Sequence, residues 1–193
     1  SLASCRGRRK GAILAMKYFD ELKKSMEWLA QKNDSFFIGQ AVEVPGTAMF
    51  NTLKDIDATK RLELPVFEDT QMGISIGMSL KGYRVMSNFP RWNFLLCATN
   101  QLVSHLDKLP TITDNKVTPN VIIRTSVGSQ RPLFPGHQHI GNLSEAYRKM
   151  LSNVEVIELE EPEHIFESYK KAYEREDGKS TLLVEFGDFY NEK

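Results

Sequence analysis

From residue 16 onward the apolar residues switch repeatedly between a helical period and short continuous runs, and this alternation leaves few folds open. Phe19, Leu22, Met26 and Leu29 recur at helical spacing with charges between them, which predicts an amphipathic helix over 16–32. A strand is expected at 35–39, a loop carrying Pro45 and Gly46 over 40–47, a short helix over 48–58 and a short buried strand at 62–66. Helices expected at 69–80, 92–108, 143–151 and 163–174 then alternate with strands at 83–89, 121–125, 154–159 and 181–186. Strands separated by helices are joined by right-handed crossovers. The expected fold is therefore α/β: a doubly wound, mostly parallel six-stranded sheet with helices on both faces.

The size fits one such domain. The chain has 193 residues, 41% of them hydrophobic, with 25 Lys+Arg against 25 Asp+Glu. A formal charge of zero argues against a nucleic-acid binder, which needs clustered cations to displace counterions. Apolar runs such as 94–98 fall far short of the ~20 residues that cross a bilayer, so no membrane span is expected. Cys5 and Cys97 form neither a disulfide framework nor a metal spacing, which suits a reducing cytoplasm. Arg6, Arg8, Arg9 and Lys10 precede an apolar run too short for a secretory core, and Met16 opens the first amphipathic pattern. Residues 1–15 are set aside as leader or expression-derived sequence without a place in the fold, leaving 16–193 as the domain.

In parallel sheets ligands bind at the carboxyl ends of the strands. The segments leaving those ends are 40–47, 67–71, 90–94 and the long loop 126–142. The sequence has no dinucleotide-binding glycine fingerprint, phosphate loop or nucleophile elbow. His137 and His139 lack a third nearby ligand, so no metal site is assigned. Glu68 lies where a strand gives way to a helix, and a first-turn acid complementing the helix dipole is its plainer reading. Gly73, Ser75, Gly77 and Ser79 weaken that helix, which suggests that a neighbouring helix, a partner chain or a ligand approaches a small-residue face. Trp92 and Phe94, two apart at the start of the next helix, cannot point the same way, and one is free to face a ligand ring.

Taken together, residues 65–84, with Pro65, Glu68, Gly73, Gly77, Met78, Gly82 and Arg84, resemble a specific pattern. It reads Pro-Ile-x-Glu, four residues, then Gly-x-Ala-x-Gly-Met-Ala-x-x-Gly-x-Arg. The pattern belongs to the pyrimidine-binding domain of thiamine diphosphate enzymes, nearest the β subunits of 2-oxoacid dehydrogenases and related to transketolase. Phe89, Asn93, Phe94, Ala98, Gln101 and Lys108 continue the resemblance, and Val121 to Gly128 look like the family's Val-Ile-Arg-x-Pro-x-Gly strand. It covers roughly residues 17–187.

The resemblance implies roles. Glu68 would hydrogen-bond the aminopyrimidine ring nitrogen and promote the tautomer that removes the thiazolium proton. Phe94 would stack on the ring, Pro90 and Gln40 would contact it, and His139, or His137 in an alternative alignment, would orient substrate or shuttle a proton. The cofactor would carry the carbanion chemistry. The reaction implied is on a 2-oxoacid or transfers a ketol unit. Two departures stand out. The family's Gly-Glu-Asp/Glu-Val after the first strand is here Gly39-Gln40-Ala41-Val42, without the acid, and the family's further carboxyl-terminal domain is not seen before Lys193. The Gly-Asp-Gly and Asn of a diphosphate-binding half are also missing from the sequence. A diphosphate-binding α-type subunit is therefore expected as partner, holding most of the Mg²⁺ contacts in an α2β2 heterotetramer with a β–β contact. The departures also leave room for a non-catalytic homologue that assembles or regulates such a complex.

Overall fold

The computed structural model describes residues 17–191; the expected leader, 1–15, and Met16 lie outside the described residues. Helix α1 (Tyr18–Ala30) leads into β1 (Ser35–Gly39), followed by a short α2 (Ala48–Asn51), β2 (Arg61–Glu63), α3 (Glu68–Leu80) and β3 (Arg84–Asn88). The chain continues through α4 (Trp92–Leu95), α5 (Leu109–Ile112), β4 (Val121–Val127), α6 (Ser144–Met150), β5 (Val154–Glu158), α7 (Pro162–Glu174) and β6 (Ser180–Phe186). The six strands form one sheet in the order β2-β1-β3-β4-β6-β5. Every neighbouring pair is parallel, so the expected sheet is parallel throughout.

Side chains alternate across a strand, and the central strands supply two cores. Ile122 and Leu183 face one side, where Leu22, Met26 and Leu29 of α1 and Ile165, Tyr169 and Ala172 of α7 pack. Val121, Ile123, Leu182 and Val184 face the other, against Met72 and Ile76 of α3 and Leu95, Leu102 and Leu106. The first core also encloses Arg124 and Glu185, both fully buried and paired through Nε and Nη2. Burial disfavours the Arg124 cation, but the Glu185 carboxylate more than offsets this and raises its pKa. Tyr169 and Tyr190 both donate their hydroxyls to Glu185.

Three expected elements change shape. The single helix over 92–108 is broken into α4, a 3₁₀ turn at Leu96–Ala98 and a π-helical turn at Gln101–Leu106. Its buried residues Ala98, Leu102 and Leu106 are four apart, which overshoots a full α-helical turn by about 40° each step. A wider turn, closed by Asp107 N–H on the Leu102 carbonyl, keeps them on one face. Thr99 adds to the break by turning its hydroxyl back to the Leu96 carbonyl at 2.7 Å. The helix over 48–58 shrinks to α2, and β2 stops at Glu63, short of Pro65, which has no N–H to donate. Among the described residues no helix is long and apolar enough to cross a membrane.

Candidate active site

The carboxyl ends of β1 and β3 are clamped together by the first turn of α3. Gly39 closes β1 at φ +123°, a conformation that glycine alone adopts without strain. A Cβ built there would lie 2.4 Å from the Asn88 carbonyl oxygen and 2.4 Å from Gln71 Nε2. Gln71 uses that space: its Nε2 donates to the Asn88 carbonyl at 2.8 Å and to Ser87 Oγ at 3.1 Å. The Gln40 N–H donates to the same carbonyl at 3.2 Å.

This clamp fixes the start of α3 and so the site of Glu68, its first helical residue. Glu68 is only 8% exposed, yet no group among the described residues hydrogen-bonds or pairs with its carboxylate. At the same edge, Gln40 Nε2, Gln71 Oε1 and both amide atoms of Asn88 are buried without a partner among the described residues. Orphaned polar atoms of this kind each cost about 1–3 kcal/mol, and they gather at one edge of the sheet.

A cleft of about 620 Å³ opens at that edge. Its walls come from the segment after β1 (Ala41 and residues 44–49), from Glu63, and from Pro90 and Phe94 after β3. Ser126 near the end of β4, Arg131 after it and Tyr190 after β6 add to it. The Ser126 hydroxyl donates to the Pro90 carbonyl at 2.7 Å and ties two walls together. Phe94 lines the cleft whereas Trp92 turns into the core, with its ring 4.9 Å from that of Tyr147. His139 sits against Phe94, ring centres 5.8 Å apart, and its Nδ1 is 3.0 Å from Asn93 Oδ1. His137 packs instead on Phe134 at 5.2 Å. Of the residues expected at a site, Pro90 and Phe94 line the cleft; Glu68, Gln40, His137 and His139 do not.

The small-residue face expected on α3 divides in two. Ser75 turns inward, its hydroxyl 2.8 Å from the Gln71 carbonyl and 2.9 Å from Ser87 Oγ, and Ser79 accepts the Asn120 N–H at 2.7 Å. Gly73 and Gly77 point elsewhere, and nothing lies within 4 Å of a Cβ built on either. Residues two apart on a helix are about 200° apart, so the serines and glycines cannot share a face.

Sequence reasoning missed Glu63 and Tyr190 as parts of the cleft, and placed Arg91 and Arg131 in segments at this edge without singling them out. Neither arginine side chain has an acidic partner among the described residues, so both bring unpaired cations to walls that also carry the Glu63 carboxylate. Burial and the nearby Glu185 carboxylate hold the Tyr190 phenol well above its ordinary pKa.

The strand order and the parallel crossovers give an α/β fold of the transketolase-like kind, with a cleft at the sheet's carboxyl edge. A split-gene transketolase solved as an inactive β4 tetramer superposes with a TM-score of 0.69 over 90% of this chain and 52% of that one, at 15% identity. The pyruvate dehydrogenase E1 component subunit beta of Gracilaria tenuistipitata var. liui is 27% identical over 149 residues. That match takes in 75% of this chain and 45% of the relative, so the chain spans about half the length of the proteins it resembles. No family model matches the sequence.

Proposed function

We propose that this chain is the pyrimidine-binding subunit of a split thiamine diphosphate enzyme that acts on a 2-oxoacid or transfers a ketol unit. The observation that carries the reading is Glu68, 8% exposed, at the start of a helix on the sheet's ligand-binding edge, with no partner among the described residues. Its carboxylate holds no internal hydrogen bond that an arriving donor would have to displace. The cleft offers a flat heteroaromatic ring an aromatic face on Phe94 and an apolar wall at Pro90, and the unpartnered Gln40 amide lies at the same edge of the sheet.

Thiamine diphosphate, when bound, supplies the carbanion chemistry. The chain's part is binding and proton handling. Glu68, free of competing donors, offers both oxygens to hold or take a ring proton. Phe94 presents its ring for stacking. The Asn93 side chain engages His139 Nδ1, which leaves Nε2 as the nitrogen available to a substrate. Arg91 and Arg131 give the cleft a positive wall suited to the carboxylate of a 2-oxoacid. The diphosphate and Mg²⁺ fall to an α-type partner, in an α2β2 heterotetramer with a β–β contact. A cytoplasmic setting suits a chain with two cysteines.

The test is calorimetric titration of thiamine diphosphate and Mg²⁺ into the chain alone and into the complex with the protein encoded beside it. Binding is expected in the complex only. Glu68→Gln should lower turnover of the complex by about 10²–10⁴-fold while it still assembles. Unchanged turnover would exclude the catalytic role and leave a non-catalytic subunit that assembles or regulates the complex.

A further inference from the structure

The first loop lacks the acid that the resembled pattern carries, Gln40 and Ala41 standing in its place, but the fold brings a carboxylate there from the neighbouring strand. β2 ends at Glu63, in register with Gly39 of β1. Glu63 Oε1 accepts the Ala41 N–H at 3.0 Å, and Oε2 accepts those of Val42 and Glu43 at 2.7 Å each, with Val44 at 3.4 Å. The loop holds Glu63 in return. The Glu63 N–H donates to Glu43 Oε2 at 3.3 Å, and Arg61 Nη1 donates to the Val42 carbonyl at 3.2 Å.

Ala41 is left-handed, at φ +58°, which is uncommon for a residue with a Cβ. Successive N–H groups turned to one side in this way form a backbone concavity that favours an anion. Here the anion is internal. The segment it organises runs directly into residues 44–49, which form one wall of the cleft, and Glu63 itself lines that wall.

We infer that Glu63 is a positioning residue of this site: its carboxylate fixes the wall formed by residues 41–49 and thereby sets how substrate is held. The inference rests on the enzymatic reading above. With both oxygens engaged by backbone N–H groups, Glu63 acts on the wall rather than on the reacting atoms, so it governs binding rather than the chemical step.

The experiment has two arms, each using wild type, Glu63→Gln and Glu63→Asp. In the full chain, amide exchange followed by NMR should show Ala41, Val42 and Glu43 protected in wild type. They should exchange about tenfold faster or more in Glu63→Gln, with α3, β3 and β4 unchanged. Equal exchange rates in the two proteins would overturn the inference, and this arm needs neither cofactor nor partner. In the complex loaded with thiamine diphosphate and Mg²⁺, with 2-oxoacids from pyruvate upward as probes, Glu63→Gln should raise KM about tenfold with kcat within about twofold. Glu63→Asp, which keeps the charge, should recover part of the loss. A fall in kcat at unchanged KM, or no recovery by aspartate, would also overturn it. A wild-type complex that turns over neither a 2-oxoacid nor a ketose would count against the enzymatic reading, while the amide result would still decide whether Glu63 holds the wall.

Discussion

Alanine at Gly39 tests whether the clamp between α3 and the ends of β1 and β3 exists. Two costs are separable. The first is backbone strain, since φ +123° is foreign to a residue with a Cβ and costs about 1–3 kcal/mol. The second is collision. The new methyl would sit 2.4 Å from a backbone oxygen that the sheet holds in place and 2.4 Å from Gln71 Nε2, so Gln71 must leave. Overpacking costs about 1–3 kcal/mol. Stranding a glutamine that is 1% exposed without its acceptors adds about 1–3 kcal/mol. Gly46 provides the control: at φ +119°, with nothing within 4 Å of a built Cβ, its alanine carries the strain without the collision. Gly39→Ala should therefore be less stable than Gly46→Ala by about 2–6 kcal/mol. Urea unfolding followed by circular dichroism measures both against wild type. At roughly 2–4 °C per kcal/mol for a domain of this size, the two variants should also melt well apart. If they fall within about 0.5 kcal/mol of each other, the packing argued for Gln71 is wrong.

Glu185→Leu leaves the Arg124 cation buried without its carboxylate and should cost about 3–5 kcal/mol in urea unfolding. Adding Arg124→Met should return most of that loss, and failure to do so would count against the pair as its source. Asp177 is held down to about 2 by hydrogen bonding to Arg175. Its folded pKa lies below the unfolded value near 3.8, so its contribution is complete above about pH 4 and lost as pH falls toward 2. The Asp177 side chain is 53% exposed, which makes the effect small. Asp177→Asn should flatten part of the decline in melting temperature between about pH 4 and 2, and parallel curves would refute the assignment.

The strands were legible because buried parallel strands are written as short apolar runs, and β1, β3, β4, β5 and β6 fall within a residue or two of where those runs lie. The break after α4 was not, because apolar spacing over 92–108 allows an α-helix and only the packing of Ala98, Leu102 and Leu106 selects a wider turn. At the site, aromatics beside a strand end pointed to Phe94, and the two-residue offset from Trp92 explains why one ring lines the cleft and the other is core. Glu63 could not be read in the same way. Its partners lie about twenty residues upstream in the loop after β1, and only the β1–β2 register brings them together. Arg91 and Arg131 are ordinary loop cations until the crossovers set them on one cleft.

The sheet order bears on how the protein is made. β6 follows every other strand in the chain but inserts between β4 and β5, so β5 has no hydrogen-bonded neighbour until β6 arrives. The cleft also draws on both early and late segments, from Ala41 to Tyr190. A growing chain on the ribosome thus exposes the edges of β4 and β5 and an open-sided cleft until nearly the whole domain has emerged. Closure of the cleft is thereby deferred until β6 and Tyr190 have emerged, and that interval is when chaperones have most to protect.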